Sequence, residues 1–159
     1  MELEQDNVME ILKGLLFINN IDVYVGYGVF LAEKERNGHE NYDALLKPSK
    51  TKEQVAINVR EQNGEMLPAQ LDVRFEARDV TLYFGIEAEN RAQFLSRRTN
   101  FIEFLRTGSN GWLNFRLTEI DKTFRFYLKD IPSWEQLTFE DSLSFGRFQI
   151  TFREPNPTF

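Results

Sequence analysis

One stretch, residues 80–105, constrains the fold more than any other part of the chain, because its hydrophobic period changes once within it. The first part, VTLYFGIEA, alternates as a half-buried strand does. Asn90 is then a good N-cap residue, and apolar residues recur at helical spacing over 94–105. Gly108 suits the left-handed position that ends many helices. The pattern predicts one strand that leads into one packed α-helix near residues 90–107.

Most of the remaining chain has the period-two pattern of β-strands. Asn19 and Asn20 separate two apolar runs and predict a hairpin turn, since asparagine tolerates left-handed backbone conformations. Further alternating stretches are VAINVRE, LDVRFEA, WLNFRL, TFRFYLK and the segment at 147–153. In the first two, Ile57 and Val73 are among the expected inward positions. Strands and helices do not alternate, so the sequence predicts a mainly β fold, a β-sandwich or barrel of about eight mostly antiparallel strands.

The chain has the length of one domain, preceded by a short segment of different character. Residues 1–13 are acidic, since the first ten contain four carboxylates and no base, and we expect a helical turn or disorder there. Residues 14–159 are predicted to form a single β domain. Two loops are expected within it, one around Pro132 and Trp134 and a long charged surface loop at 33–54.

The long loop carries three apolar residues whose place in the fold matters for function, namely Tyr42, Leu45 and Leu46. Long loops in compact domains are uncommon and are usually functional or disordered. These side chains either pack back onto their own domain or form a partner-contact loop. The sequence favours neither reading.

Composition excludes several classes of function. The chain has 19 Lys and Arg against 25 Asp and Glu, a net charge of −6, which gives no overall attraction to nucleic acid or anionic lipid. It has no cysteine for disulfides or thiolate metal sites, in keeping with a reducing cytoplasm. The longest apolar run near the start, residues 15–18, is too short for a membrane span. We therefore expect synthesis in the cytoplasm, with no membrane and no cofactor.

Catalytic groups are scarce in this sequence. The only histidine, His39, lies in a charged loop and is expected to be exposed. Metal-binding and phosphate-binding motifs are absent, so no catalytic, cofactor-binding or metal-binding residue is named. The nearest approach to a glycosidase site is an acid–aromatic cluster of Glu135, Glu140 and Asp141 beside Trp134. Solvated loop charges beside a core tryptophan explain that cluster equally well.

The strands also carry arginines at outward positions, which predict a basic stripe of Arg74, Arg116, Arg125, Arg147 and Arg153. Such a stripe suits RNA or an acidic partner. The aromatic residues are expected mostly on the inward face, however, so the stacking surfaces typical of nucleic-acid binding are missing. A solvated or subunit-facing sheet surface is the better interpretation, without sequence-specific nucleic-acid binding.

Several segments together resemble a known family. They are FINNIDVYVGYGVFLAE, FEARDVTLYFGIEAENRAQFLSRRTNFIEFLRTG, GWLNFRL and KTFRFYLKD. Their hydrophobic positions and order are similar to the N-terminal tube-like domain of bacteriophage distal tail proteins and related tail components. The resemblance covers roughly residues 14–159 and implies a tail-tube-like fold.

The resemblance also implies a function. Members of the family are non-enzymatic structural proteins that form rings, often hexameric, around a central channel and join the tail tube to the baseplate. This implies a homo-oligomer that contacts other tail proteins of a phage or prophage and resides in the virion tail or a tail-like particle. Distal tail proteins commonly carry a second domain that binds carbohydrate or fibres, and that property is not implied for this chain.

Two other functions are compatible with a β-sandwich. One is a stand-alone binding module for carbohydrate or a protein partner, which would present an exposed aromatic patch around Trp112, Tyr127 or Trp134. The other is a glycan-active enzyme, which needs two carboxylates that converge in a cleft.

Overall fold

The computed structural model of this protein describes residues 12–33 and 38–159. The described part contains seven strands: β1 (Leu16–Ile18), β2 (Ile21–Asp22), β3 (Val29–Leu31), β4 (Arg78–Ala88), β5 (Leu113–Leu117), β6 (Lys122–Phe139) and β7 (Ser144–Glu154). It contains three helices: α1 (Val23–Tyr27), α2 (Glu40–Leu46) and α3 (Arg91–Thr107). The prediction for the acidic segment 1–13 lies, except for its last two residues, outside the described ranges.

The strands form one open antiparallel sheet in the order β2-β1-β5-β6-β7-β4-β3. The mainly β prediction is therefore confirmed, with seven strands within the described ranges where about eight were expected. β6 joins two halves of the sheet, because its first residues pair with β5 and its later residues pair with β7. β4 and β7 pair along their whole length, from Arg78 opposite Glu154 to Ala88 opposite Ser144.

A phenylalanine-rich core fills the inner face of this sheet. Strands β5 and β7 are not neighbours, yet the rings of Phe115 and Phe152 lie 4.8 Å apart between centroids. In a flat sheet, strands two places apart are separated by about 10 Å. The sheet therefore curls about β6, and side chains from both halves meet in a single core.

The helix α3 closes one side of this core. Its N-terminus is capped as expected, since the Asn90 side chain accepts a hydrogen bond from the backbone N–H of Gln93. Its last residue is followed by Gly108, whose φ of 48° is positive. Phe101 of the helix packs against Phe84 and Phe148 of the sheet. These contacts confirm the strand-and-helix unit predicted for residues 80–105.

Three predicted features differ in the structure. The expected loop around Pro132 is part of β6, whose pairing with β7 is irregular there and so tolerates a residue without an N–H. The expected loop at 33–54 contains helix α2. The alternating stretches at 55–61 and 71–77 do not enter the sheet. Of the inward positions assigned to them, Val59 and Ala77 are partly buried and the others are exposed.

A buried asparagine completes the sheet where β3 ends. The Asn41 side chain accepts a hydrogen bond from the Tyr83 N–H at 2.7 Å and donates to the Ala32 and Tyr83 carbonyls at 2.8 and 3.2 Å. Its relative exposure is 1%. Asn41 thus supplies the donor and acceptor that another strand residue would have offered to β4.

Replacing this asparagine should therefore be costly. We expect Asn41→Ala to lower the free energy of unfolding by about 1–3 kcal/mol, because it leaves the Tyr83 N–H and the Ala32 carbonyl without their partner. Urea unfolding followed by tryptophan fluorescence measures the change. Asn100→Ala, at an exposed position of α3, is the matched control and should cost nothing. Equal stability of the two variants would contradict this role.

Candidate interaction surface

The most unusual feature of the fold is a projecting segment, residues 50–76, which we call the arm. It lies between α2 and β4, and every residue of it except the partly buried Val59 is exposed. Backbone hydrogen bonds hold it as an irregular two-stranded ribbon, with bridges between Thr51 and Phe75 and between Ile57 and Met66. The arm therefore has local order without a core of its own.

The arm is apolar as well as exposed. Relative exposure is 87% for Val55, 62% for Ile57 and 58% for Val73. Further exposed apolar side chains on the arm are Met66, Leu67, Leu71 and Phe75. Contiguous exposed apolar surface on a soluble protein is typical of an interaction site. The alternation in these segments therefore marks residues that are available for burial against something other than this domain.

The root of the arm is fixed by Arg78, the first residue of β4. Its guanidinium donates to the Glu154 carboxylate at 2.8 Å and to the Lys47 carbonyl at 2.7 Å, so that it joins the two ends of the arm to β7. Both side chains of the ion pair are buried. Phe159 lies under the guanidinium, 4.9 Å from its Cζ atom, and also contacts Phe75 of the arm.

The pKa values of two carboxyl groups near the root of the arm are shifted in opposite directions by their surroundings. Burial raises the pKa of Glu154, and the hydrogen bond from Arg78 acts against that rise. A hydrogen bond from Lys129 lowers the pKa of the more exposed Asp79, and Arg153 acts in the same direction. The charges of the buried Arg78–Glu154 pair therefore contribute little net free energy to folding, because burial offsets their attraction. Asp79, with Lys129 and Arg153, forms an ordinary surface ion-pair network.

A second exposed apolar surface lies at residues 136–143, which we call the hairpin tip, where β6 turns into β7. Leu137, Phe139 and Leu143 are all exposed there. β5 ends its pairing with β6 at Phe126, so the outer edge of β6 beyond Leu128 has no neighbouring strand among the described residues. An unpaired strand edge beside apolar side chains is a second surface suited to association.

The three apolar residues of the predicted partner-contact loop lie on helix α2, which places them in different environments. Leu45 is buried in the protein's own core, and Tyr42 is partly buried against it. Only Leu46 is exposed. Packing onto the same domain is therefore the outcome for Leu45, and the extended apolar surface lies instead on the arm that follows.

Four of the five arginines of the predicted stripe lie on the outward face of the sheet, and the fifth, Arg74, lies on the arm. Arg74 is on the arm beside Asp72, Arg147 pairs with Glu135, and Arg153 pairs with Asp79. Arg116 and Arg125 lie together on the outward face of β5 and β6. Each has an aromatic ring beneath it, Phe17 under Arg116 and Trp112 under Arg125. The expectation that arginine and aromatic residues lie on opposite faces is therefore wrong for this pair.

The acid–aromatic cluster near Trp134 is largely neutralised. Glu135 is bound by Arg147 at 2.8 Å, and Asp141 faces Arg91 at 3.7 Å. The Trp134 ring stacks on Phe148 at 4.9 Å, with Arg98 over it. His39 is exposed, as expected for a loop histidine, and precedes α2.

A small pocket of about 180 Å³ lies between β1, β3 and α2. Burial and a hydrogen bond shared with Glu40 raise the pKa of Glu33 at its rim. Burial, together with a hydrogen bond to Glu87, raises the pKa of Tyr24 to about 12. The pocket is below the roughly 300 Å³ at which small-molecule sites begin. It carries no functional assignment.

Comparison of the sequence with known proteins assigns it to no family. No protein-family model matches this sequence, and no curated protein matches it. In residues 12–33 and 38–159, no helix is long and apolar enough to cross a membrane. The same residues contain no group of three or more histidine, aspartate or glutamate side chains that could hold a metal ion.

Proposed function

We propose that this protein is a non-enzymatic structural subunit of a phage or prophage tail, or of a tail-like particle, which acts by assembling with copies of itself into a ring. The observation that carries the proposal is the arm, an ordered ribbon whose apolar side chains are exposed in the single chain. Burial of one Val or Ile side chain is worth about 1.5–3 kcal/mol. Several such side chains on one ribbon supply enough free energy to drive association.

The geometry favours contact between two different surfaces. The arm and the hairpin tip are both apolar and exposed, and each is a separate part of the fold. When the arm of one copy covers the hairpin tip of the next, each subunit uses one surface as donor and the other as acceptor. Contacts of this head-to-tail kind produce a closed ring when the rotation between subunits closes.

The family resemblance supplies the setting of this ring. Distal tail proteins and their relatives form rings between the tail tube and the baseplate, and other tail proteins are then the second class of partner. This role needs no catalytic group. The arm, its root and the hairpin tip are the parts that the function uses.

The proposal is tested by blocking the arm. We expect the purified protein to form a discrete oligomer as its concentration rises from micromolar to millimolar, measured by light scattering after size exclusion. The double variant Val55→Asp with Ile57→Asp should remain monomeric with an unchanged melting temperature, since neither side chain contributes to the core. Val25→Asp, at an exposed valine of α1, is the control and should assemble normally. A wild-type protein that stays monomeric throughout would contradict self-assembly.

A mixing experiment tests the head-to-tail contact. A second variant, Leu137→Asp with Leu143→Asp, blocks the hairpin tip and should also be monomeric alone. A mixture of the arm variant and the tip variant retains one intact arm and one intact tip, so it should form a 1:1 dimer that cannot grow. If the tip variant formed dimers by itself, the contact would be between two arms instead.

A further inference from the structure

The outward face of β1, β5 and the start of β6 has a chemistry different from the rest of the surface. Strand register places Phe17 opposite Arg116, and Asn114 opposite Arg125. These side chains alternate with buried residues such as Phe115, so all of them point away from the core. We call this surface the arginine–aromatic face, and define it as Phe17, Trp112, Asn114, Arg116, Arg125 and Tyr127.

The arginine–aromatic face itself carries no carboxylate; the neighbouring strand β2 places Asp22 opposite Phe17, and its oxygens accept backbone N–H bonds from Gly14, Tyr24 and Val25. β1, β5 and residues 122–128 contain no aspartate or glutamate, and neither Arg116 nor Arg125 forms an ion pair within the described ranges. Each guanidinium is instead stacked on a ring, at 4.3 Å from the Phe17 centroid and 4.1 Å from the Trp112 centroid. In a protein of net charge −6, two guanidiniums without carboxylate partners form a local site for an anion.

An open, shallow cleft of about 450 Å³ adjoins this face, lined by Leu105, Asn110, Trp112, Tyr127 and Leu128 among others. Arg106 also lines it and is paired with Glu103. The volume is within the range of small-ligand sites. Trp112 and Tyr127 meet edge to face with 6.1 Å between ring centroids. No group in the described part of the chain hydrogen-bonds the Trp112 indole N–H, the Tyr127 hydroxyl or the Asn110 side chain. The cleft thus combines apolar walls with solvent-facing polar groups that are not engaged by the described part of the chain.

From this combination we propose that the cleft and the arginine–aromatic face bind a short anionic glycan, a saccharide that carries a carboxylate or phosphate group. The apolar face of a pyranose ring packs on Trp112 and Tyr127, and its hydroxyls bond the polar groups of the cleft. The anionic group binds the Arg125 guanidinium. This site does not depend on ring assembly, because none of its residues belongs to the arm or the hairpin tip.

A nucleic acid is the less suitable ligand for this surface. Binding to a polyanion draws its affinity from many phosphate contacts, and the net charge of the protein opposes its approach. Two guanidiniums without acid partners match one or two anionic groups, which is the charge of a short glycan. Phe17 and Trp112 each have one face covered by an arginine, so the surface is not a series of open rings on which successive bases could stack.

Nuclear magnetic resonance of the full chain tests the site through its indole N–H signals. The chain has two tryptophans, so Trp134→Phe assigns the Trp112 signal by elimination. The probes are trigalacturonate, N-acetylneuraminic acid and glucose 1-phosphate, with maltotriose as the neutral comparison and an oligothymidylate as the nucleic-acid comparison. We expect at least one anionic sugar to shift the Trp112 signal saturably, with a Kd near or below ~1 mM, and to leave the Trp134 signal in place.

Two arginine variants make the test specific. Arg125→Met keeps an aliphatic side chain on Trp112 but removes the charge. It should lower the affinity for the anionic sugar about tenfold. Arg147→Met, at an arginine that already pairs with Glu135, should leave the affinity unchanged. No shift of Trp112 with any anionic sugar would overturn the proposal. So would maltotriose binding that Arg125→Met does not alter, or tighter binding of the oligothymidylate.

Discussion

Substituting Arg78 by alanine is expected to lower the free energy of unfolding by about 3–5 kcal/mol, because it leaves the Glu154 carboxylate buried without its counter-charge. The two side chains are joined at 2.8 Å and are 6% and 3% exposed. Arg78 also holds the Lys47 carbonyl at the other end of the arm, so the substitution loosens the arm root. Chemical denaturation at neutral pH measures the loss.

The pH dependence distinguishes this cause from a simple loss of packing. Burial already raises the pKa of Glu154, and removal of Arg78 raises it further. A group whose pKa is higher in the folded state binds more protons there, so the fold loses stability as pH rises through that pKa. The penalty of Arg78→Ala should therefore be largest at neutral pH and shrink as acid protonates Glu154.

Two controls accompany this variant. Arg153→Ala breaks a partly exposed ion pair with Asp79, one residue along β4 from Arg78. It should lower the free energy of unfolding by about 1 kcal/mol or less. The double replacement Arg78→Met with Glu154→Leu removes both buried charges and should recover most of the stability. A loss for Arg78→Ala that equals that of Arg153→Ala, or that is independent of pH, would refute the buried-pair explanation.

The second large effect is expected in the phenylalanine core. Phe152→Ala should lower the free energy of unfolding by about 3–5 kcal/mol, because a ring that contacts others from both halves of the sheet is replaced by a cavity. Phe152 is fully buried, and its ring contacts Phe84, Phe115 and Phe126. The surrounding strands are tied by hydrogen bonds and can collapse only partly into the space.

A phenylalanine-to-alanine substitution at an exposed position serves as the control for Phe152→Ala. Phe139 is 43% exposed at the hairpin tip, and Phe139→Ala should cost about 1 kcal/mol. Thermal and denaturant unfolding of the two variants give the difference. If Phe152→Ala cost no more than Phe139→Ala, the two halves of the sheet would not share a core.

The parts of the fold that sequence could predict are those whose partners are local. Three such features are confirmed by the structure: the Asn90 cap, the end of α3 before Gly108, and the turn at Asn19 and Asn20. Each depends on the nearby backbone. The alternation of β4 and β7 was recovered for the same reason, since one face of each strand is buried in the domain core.

The arm could not be predicted in this way. Alternating apolar residues such as Val55 and Ile57 indicate burial, and the pattern is identical whether the buried face meets the same domain or another surface. Which outward arginines are neutralised could not be predicted for a related reason. Whether an outward arginine is neutralised depends on the residue opposite it, as with Arg147 opposite Glu135 and Arg153 opposite Asp79, and register is a property of the folded sheet.

Strand order has a consequence for the way the chain reaches this fold. β7 lies in the middle of the sheet between β6 and β4, yet the six other strands of the described residues are synthesised before it. Until residues 144–154 leave the ribosome, β4 has only the short β3 as a partner, and the half built from β1, β5 and β6 has nothing to join it to β4. Before then, the phenylalanines of the two sheet halves cannot pack into their shared core, so we expect closure of the sheet to be a late, long-range and therefore slow step.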